Sequence, residues 1–333
     1  MTRRLILASG DNNFEKIADI LKNNDYFVIF THSYPDGDAI GSSIALYKLL
    51  LNMGKKADIV CDSEMPYQYD FLPYVSKVIK DLSGLSFKHK YVALFLDCAD
   101  IKRIKVNEKD LKENTKYIIN IDHHFTNTAF GDINSIDPSK SATAEIIFLF
   151  FENYFKKYID KEIAESLYTG ILTDTGKFQY SNTTKEVHRI ISKLLEYDIN
   201  PSHIYSSIYE NEPANRFKLL ALVLKRVKII NEDSLVYSYI LRRDFKKFDL
   251  PYSSNDGIIE LLRAANEIKV AALFKETGSN AFKVSLRSSG SSVNVAEMAN
   301  FFGGGGHKMA AAFSACGRLD NIVNELVSII GHD

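Results

Sequence analysis

The sequence predicts an α/β protein in two units: an N-terminal, mostly parallel sheet with helices on both faces, then a second, smaller α/β domain. Over the first two-thirds of the chain, short apolar runs of β-type composition alternate with longer helical patterns. That order builds a parallel sheet covered by helices. The length, 333 residues, exceeds what a single hydrophobic core ordinarily serves. The pattern also changes character between Leu195 and Arg216.

The first strand is expected at Tyr26–His32 (YFVIFTH), followed by a Pro35-Asp36-Gly37-Asp38 turn and a helix from Ala39 to Asn52. Further strands are expected at KKADIVCD, at Tyr91–Asp97 and at Lys116–Asp122, and helices at ATAEIIFLFFENYFKKY and KEIAESLYTGILTD. The stretch EYDINPSHIYSSIYENEPANR is polar and holds two prolines. The domains are therefore placed at 1–200 and 216–333 with a linker over 201–215, and Pro213 is suited to start the helix ANRFKLLALVLKRV. Beyond it come the strands VKIIN and LVYSYILR, a helix DGIIELLRAANEI, the strands VAALFKE and AFKVSLRSS, and a helix VNVAEMANFF that runs into Gly303-Gly304-Gly305-Gly306-His307. A helix NIVNELVSII closes the chain.

Composition excludes several classes. No run approaches the roughly 18 apolar residues of a membrane span, and MTRRLILASGDNN carries too brief an apolar stretch for a secretory signal. Three cysteines, Cys61, Cys98 and Cys316, form no C-x-x-C pair and suggest neither a disulfide framework nor a zinc ribbon. Net charge is −1, against a protein that coats long nucleic acid by counterion release. From Arg216 onward there are 16 Lys/Arg against 12 Asp/Glu, and before it 25 against 30. That mild split permits an acidic, cation-binding half beside a half that receives phosphates. A cytoplasmic enzyme or binding protein is the expectation.

The Asp and His residues sit where chemistry is expected. His32 ends the first strand, Asp36 and Asp38 occupy the turn beyond it, Asp97 ends another strand, and Asp122-His123-His124 ends a further one. In an open parallel sheet the strand C-termini line the ligand-binding edge, so these groups should meet in space. With Asp174, four carboxylates would share one cleft, and they cannot all stay ionised without compensation. Two divalent cations balance four negative charges, with His32 and His123 completing the donor set. Mixed oxygen and imidazole donors suit Mn²⁺ and also accept Mg²⁺, Co²⁺ or Zn²⁺. Such an ion pair activates water and clamps a phosphoryl group, which is the chemistry of hydrolysis at phosphorus.

The segments HSYPDGD (32–38), FLDCAD (95–100), DHH (122–124) and GILTDTG (170–176) resemble, in order and spacing, the four signature motifs of the DHH phosphoesterase superfamily. LRSSGSSVNVAEMANFFGGGGHKMAAAF (286–313) is similar to its DHH-associated C-terminal domain. The resemblance implies that His32 and Asp36 hold a first ion and Asp38 a second, with Asp97 bridging and His123 and Asp174 completing the second site. Two Mn²⁺ per chain are implied. His124 would meet the substrate phosphate, and Asp122 would orient its neighbours. The catalytic candidates are thus His124, Asp97 and Asp122.

Glycine lets backbone approach a ligand closely, and consecutive N–H groups can cradle anionic oxygens. By resemblance, Gly304, Gly305 and Gly306 with Arg287, Asn294 and His307 receive the phosphate and sugar of a nucleotide. A guanidinium suits that task because it grips phosphate with two parallel hydrogen bonds. Two departures bear on substrate preference: Gln179 stands where many relatives have Arg, and Ala312 where the family has Gly. Tyr34, Phe178, Tyr180 and Phe302 are candidates for stacking on a base.

The expected activity is a metal-dependent phosphodiesterase that cleaves short oligonucleotides and dinucleotides such as pApA to 5′-mononucleotides, with cyclic di-AMP as an upstream substrate. The alternatives are dephosphorylation of 3′-phosphoadenosine 5′-phosphate and, from another class, a non-catalytic nucleotide sensor. No long nucleic acid or membrane partner is expected. Relatives commonly form homodimers.

Overall fold

A computed structural model describes residues 13–83, 89–230, 235–252, 254–255, 257–288 and 293–330; the side chain of His307 is outside this set. Residues 1–12 and 289–292, both read in the sequence above, lie outside the described residues as well. The chain divides into two compact units, Met1–Asn211 and Glu212–Asp333.

The first unit opens with α1 (Phe14–Asn23), β1 (Tyr26–Phe30), α2 (Gly37–Asn52), β2 (Lys56–Val60) and β3 (Tyr91–Leu96). It continues through α3 (Glu108–Asn114), β4 (Thr115–Asp122), β5 (Ile133–Ile136), α4 (Thr143–Tyr154), α5 (Lys161–Asp174), α6 (Lys185–Leu195) and α7 (Pro201–Tyr209). The strands form one sheet in the order β2-β1-β3-β4-β5, and every pairing in it is parallel. Successive side chains of a strand point to opposite faces, and the cores follow that rule. Phe27, Ile29, Val92, Leu94, Leu96, Ile119 and Ile121 pack under α1, α2, α4, α5, α6 and α7. Val28, Phe30, Ala93, Phe95 and Ile118 face a smaller cluster that includes Leu111 of α3. The expected α/β class with helices on both faces is what the unit has.

Local chemistry explains the boundaries. Asp36 caps α2 by accepting the N–H groups of Asp38 and Ala39, Asp160 caps α5 and Thr184 caps α6, each satisfying donors that a helix start leaves unpaired. The long helix expected to reach Tyr158 stops at Tyr154, and a 3₁₀ turn follows at Lys156–Tyr158. The stretch read as linker holds a whole helix, α7, with Pro201 in its first turn and Asn200 as its cap. Ile204 and Ile208 of α7 belong to the larger core of the first unit. Their burial makes a helix out of a segment whose overall composition is polar. Helix α6 also joins this core through Val187, Ile190, Ile191 and Leu194.

The second unit comprises α8 (Asn215–Lys225), β6 (Lys228–Ile230), β7 (Leu235–Ile240), α9 (Arg242–Phe248), α10 (Ile258–Arg263), β8 (Val270–Gly278) and β9 (Ala281–Ser288). It ends with α11 (Val295–Phe301), β10 (Gly305–His307), β11 (Ala310–Cys316) and α12 (Leu319–Ile330). Its sheet runs β10-β11-β9-β8-β7-β6 and is mixed: β7 and β8 pair in parallel, while the remaining pairs are antiparallel. One face packs against α11 and α12, the other against α8, α9 and α10. No helix among the described residues is long and apolar enough to cross a membrane.

Candidate metal centre

Five of the six expected ligands, His32, Asp36, Asp38, Asp97 and His123, lie just beyond the carboxyl ends of β1, β3 and β4 or in the helix start that follows β1. Asp97 follows β3 with φ +54°, a left-handed conformation that Asp tolerates better than most residues. Asp174 arrives from elsewhere, as the last residue of α5. An acid there opposes the helix dipole, at a cost of roughly 0.3–1 kcal/mol, so a local stability argument does not explain it.

Close packing of α2 on α5 brings Asp174 in. A Cβ on Gly41 would lie 2.3 Å from the Ser166 carbonyl oxygen, and one on Gly170 would lie 2.8 Å from an oxygen of Asp38. Only hydrogen at these two positions lets the helices come this near. The outcome is three overlapping donor groups whose atoms lie within 4.8 Å of one another: His32, Asp36 and Asp97; Asp38, His123 and Asp174; and Asp97, His123 and His124.

Each imidazole is oriented. Nδ1 of His32 is 2.9 Å from the Ser33 carbonyl, which turns Nε2 toward Asp97 Oδ2 at 3.6 Å. Nδ1 of His123 faces the Lys140 carbonyl at 3.4 Å. Its Nε2 lies 3.2 Å from Asp174 Oδ2, 3.6 Å from Asp97 Oδ1 and 4.0 Å from Asp38 Oδ2. The two oxygens of Asp97 thus look toward different histidines, as a shared ligand requires.

The electrostatics fit a cation site. Burial, followed by the charges of Asp97 and Asp174, holds the Asp38 carboxyl well above its ordinary range, even though its oxygens accept the Thr143 and Ala144 N–H groups at 2.6 and 2.8 Å. Burial and the neighbouring acids Asp36 and Asp97 push Asp174 up to about 6. Burial acts to lower His123, but the hydrogen bond to Asp174 and the charges of Asp97 and Asp38 raise it to about 11. Asp97 is likewise opposed by burial yet held low by the close approach of His32 and the charges of His124 and His123. Acids forced toward protonation beside imidazoles forced toward charge mark a pocket short of positive charge. Divalent cations among these oxygen and nitrogen donors would supply it.

A second layer of hydrogen bonds lies behind the donors. Asp122 is fully buried and accepts from the His123 N–H at 2.9 Å, from His124 Nδ1 at 2.8 Å and from Asn127 Nδ2 at 2.5 Å. Thr143 Oγ1 donates to Asp97 Oδ1 at 3.0 Å. The sequence reading omits Asn127 and Thr143. The available signals were a short polar residue three positions after His124 and a hydroxyl in the first turn of a helix.

In the second unit, Arg287 of β9 pairs with Ala310 of β11, which pairs with His307 of β10. The end of the glycine run forms a strand, β10. A Cβ on Gly304 would fall 2.3 Å from the Ala312 carbonyl oxygen, and one on Gly306 would fall 2.5 Å from that of Ala310, so the approach of β10 to β11 needs both glycines. Gly305 has room, with Asn300 Oδ1 nearest at 3.7 Å. Asn294 caps α11 through its carbonyl oxygen and donates to Glu297. Its polar atoms therefore serve the helix. Gln179 and Tyr180 are exposed, and Tyr34 is 84% exposed. Phe302 stacks on Phe313, and Phe178 packs against Tyr168 and His188, as core aromatics do.

Fold and site together define a two-unit α/β protein whose parallel sheet carries a partly buried acid–imidazole cluster suited to divalent cations. The model of the DHH family, N-terminal domain, matches residues 26–171, and that of the DHHA1 domain matches residues 232–332. The bifunctional oligoribonuclease and PAP phosphatase NrnA of Thermus thermophilus is 35% identical over 303 residues, covering 89% of this chain and 86% of the relative. NrnA of Bacillus subtilis is 25% identical over 293 residues, 87% of this chain and 89% of the relative. The crystal structure of an exopolyphosphatase-related protein from Bacteroides fragilis superposes with a TM-score of 0.88 at 26% identity, covering 100% of this chain and 98% of that one. The chain belongs to the DHH family.

Proposed function

We propose that the chain is a phosphoric diester hydrolase that cleaves short oligonucleotides and dinucleotides such as pApA to 5′-mononucleotides, using two Mn²⁺ ions. The observation that carries this is the pair of donor groups, His32, Asp36 and Asp97 on one side and Asp38, His123 and Asp174 on the other, which the group of Asp97, His123 and His124 links. Relatives that match over nearly the whole chain are named as oligoribonucleases and PAP phosphatases. His32, Asp36 and Asp97 would hold one ion, and Asp97, Asp38, His123 and Asp174 the other. When bound, the ions supply an activated water and neutralise charge on the phosphoryl oxygens.

The protein's own groups do the positioning. Asp122 anchors the His124 ring through Nδ1. Although burial acts to lower its pKa, the Asp122 hydrogen bond and the Asp97 charge hold the ring above its ordinary value, so in the protonated ring the Nε2–H would donate to a non-bridging phosphoryl oxygen as charge develops there. Thr143 restrains Asp97, and the backbone N–H groups of Thr143 and Ala144 restrain Asp38. Arg287 would take a second phosphate group.

Removal of the terminal phosphate from 3′-phosphoadenosine 5′-phosphate is the second reading, favoured by the paired activities in the relatives' names. A non-catalytic sensor would tolerate lost donors, and none of the six expected residues is missing from the sequence. The test is a comparison of kcat/KM on pApA, cyclic di-AMP, 3′-phosphoadenosine 5′-phosphate and longer oligomers in Mn²⁺, with Asp97→Ala as control. Turnover of pApA at least equal to the others, lost in Asp97→Ala, is expected. No hydrolysis of any of them would refute the reading.

A further inference from the structure

The guanidinium of Arg287 is held along one of its edges. Nε and Nη2 lie 3.2 and 3.1 Å from a single oxygen, Oε1, of Glu260, and Nη1 donates to the Leu286 carbonyl at 3.1 Å. The register explains the contact. Arg287 is opposite Ala271 of β8, and Ala271 lies on the sheet face that packs under Ile259 and Leu262 of α10. Glu260 stands between those two anchors in sequence, and both partners are only part-exposed, with side-chain exposures of 27% for Arg287 and 31% for Glu260.

A guanidinium carries five N–H donors in a planar fork. Two are engaged in hydrogen bonds here, Nε by Glu260 and one on Nη1 by the Leu286 carbonyl, and Nη2 stands at ion-pair distance from the same Glu260 oxygen. Nη1 and Nη2 each keep an N–H beyond these contacts, and the two nitrogens form the end edge of the fork. That pair is the spacing a phosphate accepts with two parallel bonds.

We propose that Glu260 is a positioning residue, holding Arg287 by its side edge so that the end edge is presented to a substrate phosphate. This rests on the reading of Arg287 as a phosphate contact. An arginine free to rotate must be ordered on binding, and one already clamped need not be. The saving corresponds to roughly a 3- to 10-fold difference in affinity. Because both contacts converge on one oxygen, a glutamine carbonyl could occupy the same place and accept the Nε–H without the charge.

The experiment measures KM and kcat on pApA with Mn²⁺ for wild type, Glu260→Ala, Glu260→Gln, Arg287→Ala and the double variant Glu260→Ala/Arg287→Ala. Glu260→Ala should raise KM roughly 3- to 10-fold with kcat unchanged. Glu260→Gln should stay near wild type, and the double variant should match Arg287→Ala, because Glu260 acts through Arg287. If Arg287→Ala raises KM but Glu260→Ala does not, Glu260 has no such role and the phosphate reading stands. If both Glu260 variants lower KM, the acid masks charge instead of positioning it, and the proposal is overturned. A wild-type KM in Arg287→Ala removes the phosphate reading and the proposal together.

Discussion

Replacing Asp122 with asparagine preserves the shape of the side chain and should still break a buried network. The carboxylate receives hydrogen bonds at both oxygens: His123 N–H and His124 Nδ1 at Oδ1, and Asn127 Nδ2 at Oδ2. An asparagine offers one oxygen and one NH₂. With its oxygen toward the histidines, the NH₂ meets the Asn127 amide head-on. In the other orientation the NH₂ faces the His123 N–H, and a change of tautomer at His124 cannot remove that conflict. Asn127 cannot turn to help, because its Nδ2 also donates to Asn120 Oδ1 at 2.8 Å and its Oδ1 accepts the Ala129 N–H at 2.7 Å.

At least one buried donor is therefore left unpaired in the Asp122→Asn variant, at a cost of about 1–3 kcal/mol. For a unit of this size that lowers the melting temperature by roughly 2–12 °C. The His124 ring also loses its charged anchor, and such outer partners are worth about 10–100-fold in activity. Calorimetry and steady-state rates read the two effects separately. A variant that melts within about one degree of wild type and keeps its kcat would show that Asp122 does not organise this edge.

Other outcomes follow from the same geometry. Chelator-stripped protein should be inactive and should regain both turnover and on the order of 5–10 °C of thermal stability in saturating Mn²⁺; full activity without metal contradicts the cluster's role. Gly306→Ala should destabilise the second unit by about 1–3 kcal/mol, because its Cβ would meet the Ala310 oxygen and the Ala311 Cα at 2.5 Å with φ at +149°, whereas Gly305→Ala should be tolerated. Equal denaturation midpoints for the two variants would rule out the β10–β11 approach. Burial pushes the Asp244 carboxyl up, but the Arg226 guanidinium and the Leu241 N–H hold it below the ordinary range, with Nη2 3.0 Å from Oδ1. The folded state then binds the proton more weakly than the unfolded one, so the contribution is present above about pH 4 and is lost as the pH falls through the lowered folded value. The stability gap between wild type and Asp244→Asn should narrow below about pH 4, and a gap that stays constant on acidification would contradict the linkage.

Much of this was legible in one dimension because it depends on local rules. Alternating β-type runs and helical periods specify a parallel sheet with covering helices, and in such a sheet strand C-termini share an edge. His32, Asp97 and His123 could therefore be grouped from sequence position alone. Helix α7 was not legible as part of the first unit, since its polar, proline-bearing segment becomes a helix through burial of Ile204 and Ile208 in a core assembled from distant elements. The glycine run reads locally as a flexible loop, and its strand conformation depends on the backbone of β11 lying alongside.

What the sequence determined by itself was the inventory of donors and their placement at the ends of strands, because strand and turn signals act over a few residues. Tertiary structure decided the rest. Asp174 joins the cluster because Gly41 and Gly170 let α2 and α5 close to backbone contact. Arg287 is gripped by Glu260 because β8 register sets it under α10. Distance between residues far apart in the chain is set by packing, and no local pattern encodes it.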